Sequence, residues 1–255
     1  MKPTVWDMHV HLDFMNNADQ IVKEAEDLGL GLYAVTVTPQ GYEYSMRNIE
    51  QKENLRLCAG LHPWWAADGR CGHDDFLHTA DLIRQTRFVG EIGMDTSPKH
   101  VPPDSLDIQL SAFRTICRAC AESADPAAPK ILSLHSVRAA SLIMDILDEY
   151  DCHRTCRCIF HWFTGSSDEL NRAIRSGCMF SVNEMMLNTR RGREYARQIP
   201  ADRLLLETDL PPGEHIPFSA GKIYETLERT LDILNGIRGK DMRAVLCGNS
   251  ERVLS

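Results

Sequence analysis

The chain has 255 residues, 43% of them hydrophobic and 25% charged, with a formal net charge of −8. These are the proportions of a globular domain, not of a disordered or fibrous chain, and the acidic balance argues against a protein that grips nucleic acid through a broad basic surface. No run reaches the roughly 20 apolar residues of a membrane-spanning helix, and the N-terminal segment meets Asp7 and two histidines before it can form the apolar core of a secretory signal, so a cytoplasmic address without membrane association is expected.

In chain order, short apolar runs rich in β-branched residues alternate with helix-length amphipathic stretches. Strands are predicted over 5–9, 32–37, 55–61, 88–92, 131–134, 157–160, 179–182 and 204–207. Helices are predicted over 18–28, 76–85, 106–121, 139–150, 167–176 and 223–234, each with apolar residues at helical spacing. The proline-rich segment 97–105 and the segment 124–129 read as loops flanking one long helix. Buried strands separated by helical segments indicate parallel βα units, and eight of them in a chain near 250 residues suggest one α/β domain, a (β/α)8 TIM barrel spanning 1–255. No linker or internal repeat interrupts that rhythm.

The strands keep ending in side chains that bind metals. His9 and His11 follow the first apolar run as a His-x-His pair; Glu91, His135, His161 and Asp209 end the fourth, fifth, sixth and eighth. In a barrel, the C-terminal ends of the strands gather at one mouth, where active sites lie. Six residues far apart in sequence would then converge. Carboxylate oxygens and imidazole nitrogens suit Zn, Mn, Co, Ni or Mg in preference to soft-metal chemistry.

Six groups exceed the three protein ligands usual for one catalytic zinc. They divide naturally between two divalent ions: His9, His11 and Asp209 on the first, His135 and His161 on the second, and Glu91 bridging. Such a pair lowers the pKa of a shared water and clamps the oxygens of the transition state, and Asp209 is placed to accept the proton of that water as general base. Metal-assisted hydrolysis is the reaction class.

Nine cysteines, an odd number, are better read as reduced thiols than as a disulfide framework. Cys117 and Cys120 form a C-x-x-C on a predicted helix, and Cys152, His153, Cys156 and Cys158 cluster before the sixth strand. Neither set has the paired second half of a structural zinc site, so both are expected to be ordinary thiols. Arg190, Arg191, Arg193 and Arg197 form a local basic cluster after the seventh strand, in line with a solvated helix face.

Seven short motifs occur in the order seen in the TatD-like DNase family. They are Asp7-Met8-His9-Val10-His11, Gly60-Leu61-His62-Pro63, Val89-Gly90-Glu91-Ile92-Gly93-Met94-Asp95, Leu134-His135-Ser136, Phe160-His161-Trp162-Phe163-Thr164-Gly165-Ser166, Leu205-Leu206-Glu207-Thr208-Asp209-Leu210-Pro211 and Gly248-Asn249-Ser250. The chain resembles that family over essentially its whole length. The resemblance implies a TIM barrel of the amidohydrolase superfamily, a divalent-metal-dependent phosphodiesterase, 3′ to 5′ exonuclease action on DNA and the ligand set above. It further implies that His62 contacts a substrate phosphate and that Glu207 supports a metal ligand from outside the ligand set.

The chain departs from the family pattern in three places. Val137 stands where an arginine is common, with Arg138 one place later as the alternative phosphate contact; the segment after Asp209 is Leu210-Pro211-Pro212-Gly213; and the loop after Asp95 is Thr96-Ser97-Pro98-Lys99-His100. Trp64, Trp65, Trp162 and Phe163 follow strand-end histidines, where aromatic faces can stack nucleobases or wedge between loops and helices. Asp95 and Asn183 receive no role. DNA, with RNA possible, is the expected substrate. The alternatives are an acyl or ester hydrolase such as an aminoacyl-tRNA deacylase, because the same water attacks carbonyl carbon, and a subunit gated by protein partners in a larger assembly such as a phage-defence system.

Overall fold

The computed structural model describes residues 3–255. The strands are β1 (Val5–Val10), β2 (Leu30–Ala34), β3 (Leu55–Leu57), β4 (Phe88–Asp95), β5 (Ile131–Val137), β6 (Arg157–His161), β7 (Met179–Val182) and β8 (Leu204–Leu206). Between and after them run α1 (Ala18–Asp27), α2 (Pro39–Asn48), α3 (Pro63–Ala67), α4 (His73–Gln85), α5 (Leu106–Glu122), α6 (Ala140–Glu149), α7 (Cys152–Thr155), α8 (Ser167–Arg175), α9 (Glu184–Leu187), α10 (Arg190–Gln198), α11 (Ala220–Arg238) and α12 (Arg243–Leu254). Neighbouring strands pair in parallel within two runs, β1-β2-β3 and β4-β5-β6-β7-β8.

Backbone hydrogen bonds cross both gaps between these runs. On one side the Ala59 N–H donates to Phe88 O at 3.1 Å, the Gly90 N–H to Ala59 O at 3.0 Å and the Leu61 N–H to Glu91 O at 3.0 Å. On the other, the Asp209 N–H donates to His9 O at 2.9 Å and the His11 N–H to Leu210 O at 2.8 Å. The fold is a TIM barrel, with every strand at the expected place. Three strands stop short of their predicted ends because the chain changes partner near the mouth: past Ala34, the Val35 N–H reaches Val10 O while the Thr36 N–H turns to Gly90 O.

Alternation along each strand sorts the core into two layers. Trp6, Met8, Tyr33, Val35, Cys58, Ile131, Ile159, Met179 and Leu205 fill the barrel interior. Their neighbours Leu32, Leu132, Phe160, Phe180, Leu204 and Leu206 pack outward under the helices. Two residues further toward the mouth, the inward positions change from apolar to polar: Ser133 and His135, His161, Ser181 and Glu207, all buried.

Six helices match the predicted ones, and α2, α3, α7, α9, α10 and α12 had no counterpart. Their apolar stripes are weak. The helix α10 buries only Gly192, Tyr195 and Ala196 beneath its arginines, and α12 buries Asn249 and Ser250 beside Leu246, Val253 and Leu254. Those polar residues are structural: the Asn249 side-chain amide donates to Ala201 O and Leu204 O, both at 2.8 Å, and pins the start of β8. Arg87 and Arg157 then hold the last carbonyls of α12, placing Val253 and Leu254 against the interior cluster. Among the described residues, no helix is long and apolar enough to cross a membrane.

The β3–β4 seam depends on Gly60, where a Cβ would lie 2.1 Å from Thr36 O and 2.4 Å from the Glu91 amide nitrogen. We therefore expect Gly60→Ala to destabilise the fold by about 1–3 kcal/mol through overpacking. Gly236→Ala, inside α11 with open space around it, should instead raise stability by up to ~1 kcal/mol. Equilibrium denaturation of the two variants checks the opposite signs.

Candidate metal centre

Simple alternation does not aim the first and fourth strands at the mouth. In β1, Asp7 pairs with Leu32 and Val10 with Ala34, so Met8 and His9 together oppose Tyr33. In β4, Val89 pairs with Leu132 and Ile92 with Leu134, so Gly90 and Glu91 together oppose Ser133. Each is a β-bulge, which inserts one extra residue and re-aims the side chain beside it. His9 and Glu91 thereby join the inward set. His11 lies one residue beyond the strand; on a regular strand with Met8 inward His9 would leave by the outer face, and the bulge is what turns it to the mouth.

The Glu91 carboxylate sits between two groups of imidazoles. Its Oε2 lies 3.4 Å from His9 Nε2 and 3.3 Å from His11 Nε2. Its Oε1 lies 2.7 Å from His135 Nδ1, 2.8 Å from His161 Nε2 and 3.3 Å from His62 Nε2. Asp209 Oδ1 stands 3.7 Å from His9 Nε2 and 3.6 Å from His11 Nε2. The structure thus brings all six strand-end residues and His62 together. Burial by itself would raise the Glu91 pKa, but the fields of His62, His161 and His9 outweigh it and hold the carboxyl well below the usual range. Asp209 is lowered in the same way against its burial, by a hydrogen bond with His11 and the fields of His161 and His9.

Each of the four strand-end histidines turns its other nitrogen to a polar side chain, with a hydrogen bond at His9 and His135 and without one at His11 and His161. His9 Nδ1 is 2.8 Å from Ser133 Oγ, His11 Nδ1 3.5 Å from Asp13 Oδ1, His135 Nε2 3.4 Å from Asp95 Oδ2 and His161 Nδ1 3.8 Å from Glu207 Oε1. Partners of this kind fix the ring orientation and tautomer of metal-binding histidines. Glu207 is itself anchored: its Oε1 accepts from the Trp162 N–H at 3.1 Å and the Asn183 side-chain amide at 2.9 Å, and Ser181 Oγ donates to its Oε2. Sequence reasoning anticipated Glu207 and missed Asp13, Ser133, Asp95 and Asn183. Asp13 and Asp95 are acids within a few residues of a predicted ligand, and that proximity was the available signal.

The donor set fits divalent cations. His9 Nε2 is buried, makes no hydrogen bond and faces two carboxylates, an arrangement costly for a neutral ring without a cation. Three groups of side chains lie close enough to share an ion: His9 with His11 and Glu91, His9 with His161 and Asp209, and His62 with Glu91 and His135. His62 differs from the others in one respect. Its Nδ1 accepts the Trp64 backbone N–H at 3.1 Å while capping α3, and burial pushes its pKa down to about 4. The neutral ring then carries its proton on Nε2, a donor aimed at the site in place of a lone pair for a metal.

The remaining expected contacts lie around the mouth. Trp64 is half-buried, with its indole N–H donating to Asp95 Oδ2 at 2.8 Å. Trp162, half-buried with a φ of 39°, packs against the core beside His161. Trp65 does likewise, with the Arg70 guanidinium 3.8 Å from its ring centre. Arg138 is exposed just after β5 with a φ of 54°. On α10, Arg190, Arg191 and Arg197 are exposed, Arg193 is half-buried, and Arg191 reaches Thr164 O at 3.4 Å, beside the β6–α8 loop. The cysteine groups are remote from this chemistry. Cys117, Cys120, Cys152, Cys156 and Cys158 lie in the core, with Cys152 Sγ 3.5 Å from Cys117 O. Burial raises the thiols of Cys117 and Cys120 above their usual value, as expected of inert structural thiols.

A parallel barrel with a buried carboxylate set among histidines at the C-terminal mouth defines a metal-dependent hydrolase. The chain belongs to the TatD-related DNase family, whose model matches residues 6–255. It is 28% identical over 215 residues to the 3′-5′ ssDNA/RNA exonuclease TatD of Dickeya dadantii, covering 81% of this chain and 78% of that protein. It is likewise 28% identical over 227 residues to the deoxyribonuclease Tat-D of Schizosaccharomyces pombe, covering 84% and 70%. Its fold matches a TatD homologue from Escherichia coli with a TM-score of 0.75 at 20% identity, covering 99% of this chain and 98% of that one. A TatD-family hydrolase from Entamoeba histolytica matches with a TM-score of 0.75 at 18% identity over the same shares.

Without an ion, His11 and His161 are held well above, and His135 above, the ordinary imidazole pKa. In each case burial opposes the shift and is outweighed by the facing acids Asp13, Asp95, Glu91, Glu207 and Asp209. An ion bound there displaces those protons, so divalent-metal affinity should fall as pH drops through the raised imidazole values, with proton release on binding. Calorimetry in buffers of different ionisation enthalpy measures both effects; a pH-independent affinity would contradict the assignment.

Proposed function

We propose that this chain is a dinuclear, divalent-metal-dependent nuclease that shortens single-stranded DNA, and RNA as a related substrate, from the 3′ end. The observation that carries the reading is the division of Glu91: one oxygen faces His9 and His11, the other faces His135 and His161. In this reading His9, His11 and Asp209 hold one ion, His135 and His161 the other, and Glu91 lies between them. Zn, Mn and Mg all suit such nitrogen and oxygen donors. The names of the relatives in Dickeya dadantii and Schizosaccharomyces pombe support a nucleic-acid substrate. A cytoplasmic location belongs to the same reading, since the substrate is a DNA or RNA strand.

When bound, the ions supply Lewis acidity that lowers the pKa of water and polarises phosphoryl oxygens. Asp209 accepts the proton of the attacking water at a carboxylate oxygen. It suits this task because its side chain is 19% exposed whereas that of Glu91 is 2% exposed, and because its lowered pKa keeps it ionised at neutral pH. His62 donates from Nε2 to a phosphate oxygen and holds the scissile group against the centre. The exposed Arg138 supplies charge to the next phosphate, while Trp64 and Trp162 offer ring faces to the terminal bases. Ser133, Asp13, Asp95 and Glu207 orient the imidazoles and so keep the reacting groups in register.

Single-stranded DNA labelled at either end, incubated with Mg, Mn or Zn, tests this directly. We expect stepwise loss from the 3′ end that requires metal, and a fall of at least about 10²-fold in rate for Asp209→Asn with the fold retained. Retention of near wild-type turnover in that variant would remove Asp209 as the base. Release of amino acid from aminoacyl-tRNA with the strand left intact would replace the nuclease reading by the acyl-hydrolase one. Inactivity of the ion-loaded protein until a neighbouring protein is added would favour the partner-gated one.

A further inference from the structure

The carboxylate of Asp95 is buried and saturated. Its Oδ1 accepts the Ser97 N–H at 2.7 Å, and its Oδ2 faces the Trp64 indole N–H at 2.8 Å, His100 Nδ1 at 2.9 Å and His135 Nε2 at 3.4 Å. Gln109 of α5 clamps the same residue's backbone, with its Oε1 accepting the Asp95 N–H and its Nε2 donating to Asp95 O, both at 2.9 Å. His100 comes from the proline-containing loop between β4 and α5, its side chain is 30% exposed, and its ring centre lies 5.1 Å from that of Trp64. Of the three side chains donating to Oδ2, His100 is thus the one set in a mouth loop with substantial solvent contact.

We propose that Trp64 and His100 act through Asp95 as positioning residues for His135, and that together they set the affinity of the ion shared by His135 and His161 while leaving the His9–His11 ion largely untouched. This rests on the dinuclear reading above. An ionised carboxylate only accepts hydrogen bonds, so Trp64, His100 and His135 each present an N–H to Asp95. Asp95 holds the proton on His135 Nε2, so Nδ1, which hydrogen-bonds Glu91 Oε1 at 2.7 Å without an ion, is the nitrogen turned to the centre and free to exchange its proton for a cation. Removing a donor from Oδ2 frees the carboxylate to turn away from His135, and the ring loses the contact that selects its tautomer and its angle. His9 is hydrogen-bonded to Ser133 and His11 faces Asp13 at 3.5 Å, and neither ring touches Asp95, so the loss is confined to one side of Glu91. The β4–α5 loop is thereby mechanically joined to one half of the metal centre.

The test is titration of the chelator-stripped protein with Mn2+, followed by calorimetry and by the electron paramagnetic resonance of free and paired ions. His100→Phe keeps a ring against Trp64 and removes the donor; Trp64→Phe does the same for the indole N–H; His100→Asn keeps an amide donor near the position of Nδ1. Wild-type protein should take up two ions. The two phenylalanine variants should each weaken one binding step by about 10-fold or more, the usual scale for loss of an outer partner, with the other step within about 2-fold. His100→Asn should recover most of the loss, which a role in packing alone would not give. Unchanged affinities in both phenylalanine variants, or equal loss at both steps, would overturn the inference while leaving the dinuclear reading intact. Failure of the wild-type protein to bind a second ion would overturn that reading and the inference with it.

Discussion

Everything at the mouth depends on holding one carboxylate, Glu91, where water cannot reach it. A buried anion is several kcal/mol too costly unless matched by positive charge and hydrogen bonds, and Glu91, 2% exposed, lies among five imidazoles, of which His11, His135 and His161 have raised pKa values. Its position is a backbone property before it is a side-chain one. The bulge at Gly90–Glu91 turns the side chain inward, and Gly60 lets β3 pass close enough to close the seam beside it. Beneath it the apolar interior layer, from Trp6 and Met8 to Ile159 and Leu205, supplies burial that offsets the cost of the polar layer above. The fold thus spends its stability at one end and gathers it at the other.

That division extends to the far end of the barrel. Arg87 and Arg157 cap the carbonyls of α12, Asn249 ties α12 to β8, and the grouped thiols are packed as small apolar groups in the core. The sequence feature that looked most like a second metal site, the Cys152-to-Cys158 cluster, belongs to this stabilising half. Among the described residues, the groups of three side chains close enough to share an ion all lie at the mouth.

What could be read from the sequence follows from what is periodic. His9, His11, Glu91, His135, His161 and Asp209 were legible because each closes an apolar run and the strand ends of a barrel gather at one mouth. The order of the seven motifs added the roles of His62 and Glu207. Register irregularities were not legible: nothing in Trp6 to His11 announces that Met8 and His9 share one partner residue. The outer partners were hidden for a related reason. Ser133 meets His9 across 124 positions of sequence and Asp95 meets His135 across 40, the first brought together across the barrel and the second by the β4–β5 register. The unanticipated α10 and α12 are helices whose inward faces carry glycine, serine and asparagine, so an apolar stripe gives little sign of them.

Asp95 changes how the rewritten mouth loops should be understood. A loop that only framed the substrate could vary freely without touching the chemistry. Here Thr96 to His100 is bonded to the carboxylate that orients a candidate ligand: the Ser97 amide and the His100 ring both end on Asp95. The side chain of Thr96 ties the same loop to Arg138 O at 2.7 Å, next to the exposed arginine after β5. The loops after β4 and β5 are therefore joined beside His135, one through the Asp95 carboxylate and the other through the Arg138 carbonyl. A substitution in this loop therefore alters the hydrogen bonds of Asp95, and with them the setting of His135, as well as the surface of the mouth.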